Sequence, residues 1–201
     1  MNYCNNISPI RKRKDKKKPC LFLDRDGVII EDKHYLSCPS EVNLITGSSE
    51  TISKFKDKGW LIVIITNQSG IDRKILSWSD YHKVTKKMIN LLGKKSLPNA
   101  IYANSDLPGS ETNVNSWRKP SPQMILIAES DYQIDLSKSI LVGDRLSDIE
   151  CAYNAGLKIA YHVLTGHGNK ERNLIHNDWL SNKFNELSIS YIDTISQLSI
   201  E

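Results

Sequence analysis

Residues 20–29 read Cys20-Leu21-Phe22-Leu23-Asp24-Arg25-Asp26-Gly27-Val28-Ile29. Four apolar residues running into two acids and a glycine have the pattern of a buried parallel strand ending in a turn. The two-residue repeat of extended chain puts Asp24 and Asp26 on one side, and the glycine allows the chain to turn. Open α/β sheets carry their chemistry beyond the carboxyl ends of the strands. Two carboxylates held there repel each other unless a cation or a shared proton relieves the charge. An isolated Asp-x-Asp-Gly is also an ordinary solvated turn, so three later segments decide the reading.

Outward from this stretch, helices and strands alternate. Ser48 or Ser49 is expected to cap a helix carrying Ile52 and Phe55, closed by Gly59. Leu61–Ile65 is a continuous branched run, a central parallel strand, and ends in Thr66-Asn67-Gln68-Ser69-Gly70. Ser79 is expected to cap a helix with Tyr81, Val84, Met88, Leu91 and Leu92 on one face. A strand at 100–103, a polar loop at 104–117, and a helix opened by Ser121-Pro122 follow. Ser139–Val142 reads as a strand ending in Gly143-Asp144, Ser147 as the start of a helix, and Ile159–Val163 as a further strand. Residues 169–201 are weakly patterned and are expected to hold only a short strand and helix. The alternation predicts an α/β fold, a three-layer sandwich about a central parallel sheet.

Composition bounds the function classes. The 201 residues suit one domain at 19–201, and 39% apolar with 25% charged residues is ordinary for a soluble globular chain. No apolar run has the length of a membrane span or a signal-peptide core. The four cysteines, Cys4, Cys20, Cys38 and Cys151, form no close pair, which fits a reduced, cytoplasmic setting. The formal charge of +4 resides in one place. Arg11–Lys18 holds seven basic residues and one acid, and the remainder has 20 basic against 22 acidic residues. Residues 1–18 are therefore expected to be a solvated, disordered basic tail, dispensable for chemistry at a distant site. A charge run alone supports only non-specific contact with nucleic acid, so a polynucleotide is not the favoured partner. The chain is expected to act as a monomer.

If the strands are parallel, Asp24 and Asp26, Thr66 and Asn67, Arg118 and Lys119, and Asp144 and Asp148 converge on one sheet edge. Three carboxylates near one point make a hard oxygen site for Mg²⁺. A carboxylate beside it can attack phosphorus, and a hydroxyl and a lysine can hold the transferring oxygens. Asp148, four residues after Asp144, falls in the first helical turn, where it either supports a metal or complements the helix dipole.

In this set, Asp24-x-Asp26-Gly27, Thr66-Asn67, Lys119 and Gly143-Asp144-x₃-Asp148, the chain resembles the haloacid dehalogenase (HAD) superfamily of phosphatases. The fuller strings around them, including Thr66-Asn67-Gln68-Ser69-Gly70-Ile71 and Arg118-Lys119-Pro120, resemble the branch of heptose bisphosphate phosphatases and histidinol-phosphatases. The resemblance covers about residues 19–168. It implies a Rossmann-like core with little or no cap, Asp24 as nucleophile, and Asp26 as general acid and then base. It also implies Mg²⁺ on the carboxylates of Asp24 and Asp144 and the backbone carbonyl of Asp26, with Asp148 near. Thr66, Asn67 and Lys119 would bind the phosphoryl group and Arg118 the substrate, a small phosphorylated sugar. The loop with Asp32, His34 and Tyr35 lies where the family meets its sugar.

The chain departs from that family in the loop before Arg118. Where the family carries a structural zinc on cysteine and histidine, this chain has Asn104, Asp106, Asn115 and Trp117, and no zinc is expected. Lys74 replaces a glycine of the family pattern. His82, His162, His167 and His176 have no ligand spacing and read as surface or satisfied core residues. The expected activity is hydrolysis of a heptose 1,7-bisphosphate at its 7-phosphate. Histidinol phosphate, a polynucleotide 3′-phosphate and a non-catalytic phosphosugar binder stand as alternatives.

Overall fold

The computed structural model describes residues 2–11, 15–109 and 116–199. Its centre is β2 (Cys20–Leu23), whose four residues are fully enclosed. β2 pairs in parallel with β3 (Leu61–Asn67) on one side and β5 (Ile140–Gly143) on the other. β4 (Ala100–Asn104) continues the parallel run beyond β3, and β6 (Ile159–His162) and β7 (Ser188–Tyr191) continue it beyond β5. An antiparallel edge strand, β1 (Asn2–Asn6), joins β4, giving the order β1-β4-β3-β2-β5-β6-β7 among the described residues.

The two-residue repeat sorts the central strands between two apolar layers. Phe22, Val63, Ile65, Tyr102 and Leu141 face one layer, with Ile125 and Ala128 of α3 (Gln123–Tyr132), Ile149 and Ala152 of α4 (Leu146–Asn154) and Ile175 of α5 (Gly168–Leu180). Leu21, Leu23, Ile62, Ile64, Ile101 and Val142 face the other, with Ile52 and Phe55 of α1 (Ser48–Asp57) and Val84 and Met88 of α2 (Trp78–Leu92). Each such side chain contributes about 1.5–3 kcal/mol by leaving water, which is why the central strands carry no polar residue until their carboxyl ends. Among the described residues no helix is long and apolar enough to cross a membrane.

Several boundaries differ from the sequence expectation. The segment expected as a tail contributes β1, because Tyr3 and Asn5 turn inward and its backbone pairs residue for residue with β4. Residues 12–14 of the basic run lie outside the described residues. Ser77 rather than Ser79 caps α2: its hydroxyl accepts from Asp80 N while the Asp80 carboxylate accepts from Ser77 N at 3.1 Å. That start leaves Leu91 off the buried face, 40% exposed. Gly47, at φ 83, precedes α1, so Ser48 is inside the helix rather than its cap. Pro122 and Arg145 occupy the cap positions expected for Ser121 and just before Ser147. Lys74, standing for a glycine, keeps the left-handed backbone at φ 60, a conformation that costs a non-glycine residue about 1–2 kcal/mol.

Candidate active site

The carboxyl ends of β2, β3 and β5 open into a cavity of about 350 Å³. Asp24, directly after β2, is 7% exposed at its floor. Its Oδ1 accepts from Arg25 N at 2.7 Å and lies 3.0 Å from Lys119 Nζ. Lys119 Nζ also meets Asp148 Oδ1 at 2.6 Å and donates to Ile65 O at 3.0 Å. One buried ammonium thus bridges two buried carboxylates and the end of a central strand. Burial alone would lower its pKa, but Asp148 and Asp24 hold it above its ordinary value. Burial pushes Asp24 up to about 6, more than Lys119 pulls it down.

Asp144, after β5, is enclosed by backbone. Its Oδ2 accepts from His167 N at 2.7 Å. A Cβ at Gly27 would stand 2.6 Å from that oxygen and one at Gly166 closer still, so both positions require glycine for space as well as for their positive φ. The other oxygen, Oδ1, is buried and has no hydrogen-bond partner among the described residues. Burial, then the charges of Asp24 and Asp148, push Asp144 up to about 9. Asp24, Asp144 and Asp148 each offer an oxygen within 4.8 Å of the others. An orphaned buried carboxylate oxygen inside such a group is what a hard cation would satisfy, so the residues fit Mg²⁺. Asp148 itself is used twice by the protein. Besides Lys119, it accepts from Arg145 N at 3.1 Å and so caps α4.

The carboxylate of Asp26 lines the same cavity but is held by a different set of partners. Arg25, 1% exposed, donates Nε to Asp26 Oδ2 and Nη2 to Asp26 Oδ1, both at 3.0 Å. Gln68 closes the ring, accepting from Arg25 Nη2 at 3.1 Å and donating to Asp26 Oδ2 at 2.8 Å and to Thr66 Oγ1 at 2.9 Å. Asn67 spends both ends of its amide on the backbone of Lys119, at 3.1 and 2.9 Å. It therefore positions the lysine loop while lining the cavity. Arg118 lines the cavity and donates Nη1 to Asp106 O at 3.1 Å.

The loop after β2 closes one side. Asp32 meets His167 Nε2 at 3.0 Å, and His34 and Tyr35 take left-handed φ values of 47 and 63. Tyr35 packs where Gly70 leaves room, 2.5 Å from a Cβ built there. His167, expected as a bystander, lines the cavity and joins this loop to Asp144. His162 is a satisfied core residue, its ring against Asp144 O and Arg172, and burial pushes it down to about 4. Arg73 and Arg145 also line the cavity. Arg145 directly follows the Gly143-Asp144 motif, whereas only the fold brings Arg73 to the cavity. At the loop before Arg118, Asn104, Asp106 and Ser116 bond to one another, and Trp117 packs on Tyr102 at 6.1 Å. Asn115 lies outside the described residues.

Known proteins with this arrangement are readily found. Residues 116–187 match the HAD-hydrolase-like family. The chain is 36% identical over 186 residues to the D-glycero-D-manno-heptose-1,7-bisphosphate 7-phosphatase of Chlorobaculum tepidum, covering 86% of this chain and 93% of that protein. It belongs to the heptose-bisphosphate phosphatase family of HAD-like hydrolases. Membership makes the chain a phosphoric monoester hydrolase. A second family member, from Thermosynechococcus vestitus, is 34% identical over 164 residues, 76% of this chain and 82% of its own. The crystal structure of the D,D-heptose 1,7-bisphosphate phosphatase of B. bronchiseptica, complexed with magnesium and phosphate, superposes with a TM-score of 0.74 at 26% identity. That alignment covers 89% of this chain and 94% of the other. The HAD-like phosphatase fold expected from the sequence is thereby established.

Proposed function

We propose that this phosphatase removes the 7-phosphate of D-glycero-D-manno-heptose 1,7-bisphosphate. The observation that carries the reading is a nucleophile-bearing floor, Asp24 with Lys119, beneath a rim of Arg73, Arg118, Arg145, His34 and His167. One end of the cavity suits a reacting phosphoryl group, and the three arginines of the rim suit a second phosphate on the same sugar.

Asp24 attacks phosphorus, and as its oxygen–phosphorus bond forms the bond from phosphorus to the sugar C7 oxygen breaks. Asp26 gives its proton to that departing oxygen, then takes one from the water that cleaves the aspartyl phosphate. Lys119 fixes Asp24 and balances charge on the transferring oxygens, and Thr66, whose hydroxyl accepts from Gln68, would bind them from the end of β3. Asp24 and Asp144, with the backbone carbonyl of Asp26, would hold Mg²⁺, which supplies Lewis-acid neutralisation of the phosphoryl oxygens. Asp148 acts through Lys119. The hydrogen-bonded set of Asn104, Asp106 and Ser116 supports the rim loop.

Phosphate release from the α and β heptose bisphosphates, histidinol phosphate and a 3′-phosphorylated oligonucleotide tests the substrate. One heptose anomer should exceed the other two substrate types in kcat/KM by at least about tenfold, the worth of one charge-assisted contact. Equal or faster release from histidinol phosphate or DNA would sink the assignment.

The pKa of Asp144 gives the metal reading its own check. Its folded value, about 9 against an ordinary 3.8, is raised. The stability from its tightly held proton is complete below about pH 4 and gone once the pH passes about 9. Mg²⁺ must displace that proton, so its apparent affinity should climb with pH, by up to about tenfold per unit between pH 6 and 9. Thermal shifts at fixed Mg²⁺ should grow across that range. A shift that is flat or shrinking would remove Asp144 from the metal site.

A further inference from the structure

The edge strand β1 reaches the active site through a stack of rings. Tyr3, half-buried in β1, lies 5.8 Å from Tyr81 edge to face, 5.7 Å from Trp78 and 4.6 Å from His82. Trp78 meets Tyr81 at 5.4 Å, again edge to face. Tyr81 is fully buried, and the guanidinium of Arg25 sits 5.1 Å from its ring centre. Arg25 is the residue whose two nitrogens grip both oxygens of Asp26. A desolvated cation over an aromatic face is drawn to the ring's negative face, which favours one guanidinium position. The same strand braces the cavity rim. Asn2 Oδ1 accepts from Asn104 Nδ2 at 2.7 Å, and Asn104 supports Asp106, whose carbonyl holds Arg118.

We propose that β1 is a working part of the site, with Tyr3 and Tyr81 positioning residues that aim the Asp26 carboxyl through Arg25. This replaces the expectation of a dispensable N-terminal segment, and it rests on Asp26 being the acid of the proposed reaction. When the sugar leaves, the phosphorus–oxygen bond breaks and the proton on Asp26 passes to the sugar oxygen. An alkoxide requires that proton, whereas 4-nitrophenolate departs without it. A misaimed Asp26 therefore slows cleavage of an alkyl phosphate and spares cleavage of an aryl one.

The test compares kcat/KM, which reports events through the first bond cleavage, on the heptose bisphosphate and on 4-nitrophenyl phosphate. Tyr3→Ala should lower the sugar-phosphate value by about tenfold and Tyr81→Leu by up to about 10²-fold, within the range for a misplaced catalytic group. Both should leave the aryl value within about twofold, and Tyr81→Phe, which keeps the ring, should restore the sugar value. Equal losses on both substrates, or none on either, would overturn the proposal. A second measurement needs no substrate. The ¹⁵N–¹H resonance of Arg25 Nε, which donates to Asp26, should be resolved in the native chain and broadened in Tyr3→Ala. An unchanged resonance in both Tyr3→Ala and Tyr81→Leu would refute the coupling whatever the substrate proves to be.

Discussion

Replacing Asp24 by asparagine is expected to stop phosphate release while raising the melting temperature of the metal-free protein. The two effects share one cause. Asp24 sits where burial outweighs the attraction of Lys119, so its pKa is raised from 3.8 to about 6. A raised carboxyl lends stability only while protonated, fully below about pH 4, and has lost it above about pH 6. At pH 8 the native side chain is therefore ionised against the preference of its surroundings. Asparagine removes that cost and leaves Lys119 paired with Asp148. A tenfold change in proton affinity corresponds to about 1.4 kcal/mol, and after the amide's own burial a net gain of about 1–2 kcal/mol is expected. For a chain of this length that is roughly 2–8 °C. The amide nitrogen has no charge to drive attack on phosphorus, so turnover should fall below detection. Differential scanning fluorimetry in chelator and a phosphate-release assay read the two arms. Turnover above about 1% of native would remove Asp24 as nucleophile, in view of the 10²–10⁴-fold typical even of acid–base groups. A lower melting temperature would mean that its charge supports the fold.

Lys119→Met is expected to do the opposite to stability and the same to activity. It takes away the cation that bridges Asp24 and Asp148 and leaves two buried carboxylates facing each other. Breaking a buried pair by removing one partner costs about 3–5 kcal/mol, or roughly 6–20 °C here. The deficit should shrink toward pH 5, because protonating the carboxylates relieves the repulsion. Loss of the positive charge beside the transferring group should lower kcat by about 10²–10³-fold. Combining Lys119→Met with Asp24→Asn should destabilise less than the sum of the two single effects, since the second change removes the first one's unpaired charge. A double variant as unstable as the sum of the two singles would mean that Lys119 works by packing rather than charge.

The acids of the proposed site are legible because each stands where an apolar strand meets a polar turn, a signal local to five or six residues. Asp24 after Cys20–Leu23 and Asp144 after Ile140–Gly143 are both of this kind. Asp148 is half legible: its place in the first turn of α4 is visible, but not its bond to Lys119 from a loop 29 residues earlier. In the bare sequence Gln68, Tyr81 and His167 are a motif residue, a core residue and a surface residue. Their work consists of contacts with Asp26, Arg25 and Asp32 that no spacing encodes. β1 is hidden for a different reason. Asn2-Tyr3-Cys4-Asn5-Asn6 has little apolar character beyond Tyr3 and stands beside a basic run. An edge strand with only Tyr3 and Asn5 half-buried needs no hydrophobic alternation, because its backbone pairing with β4 and the Tyr3 stack hold it.

The central place of β2 has a consequence during synthesis. It is the first of the core strands to leave the ribosome, yet one of its two neighbours, β5, begins at Ile140, which pairs with Leu21 across 119 residues of chain. At about 5–20 residues per second, roughly 6–24 s pass before that partner emerges. Throughout that interval an entirely apolar strand has an open edge, the kind of template on which other chains aggregate. A chain cut short in the loop after β4 would hold Asp24 and Thr66 but neither Lys119 nor Asp144. Such a fragment would be inactive, would keep that edge uncovered, and would be a natural client for holdases and proteases.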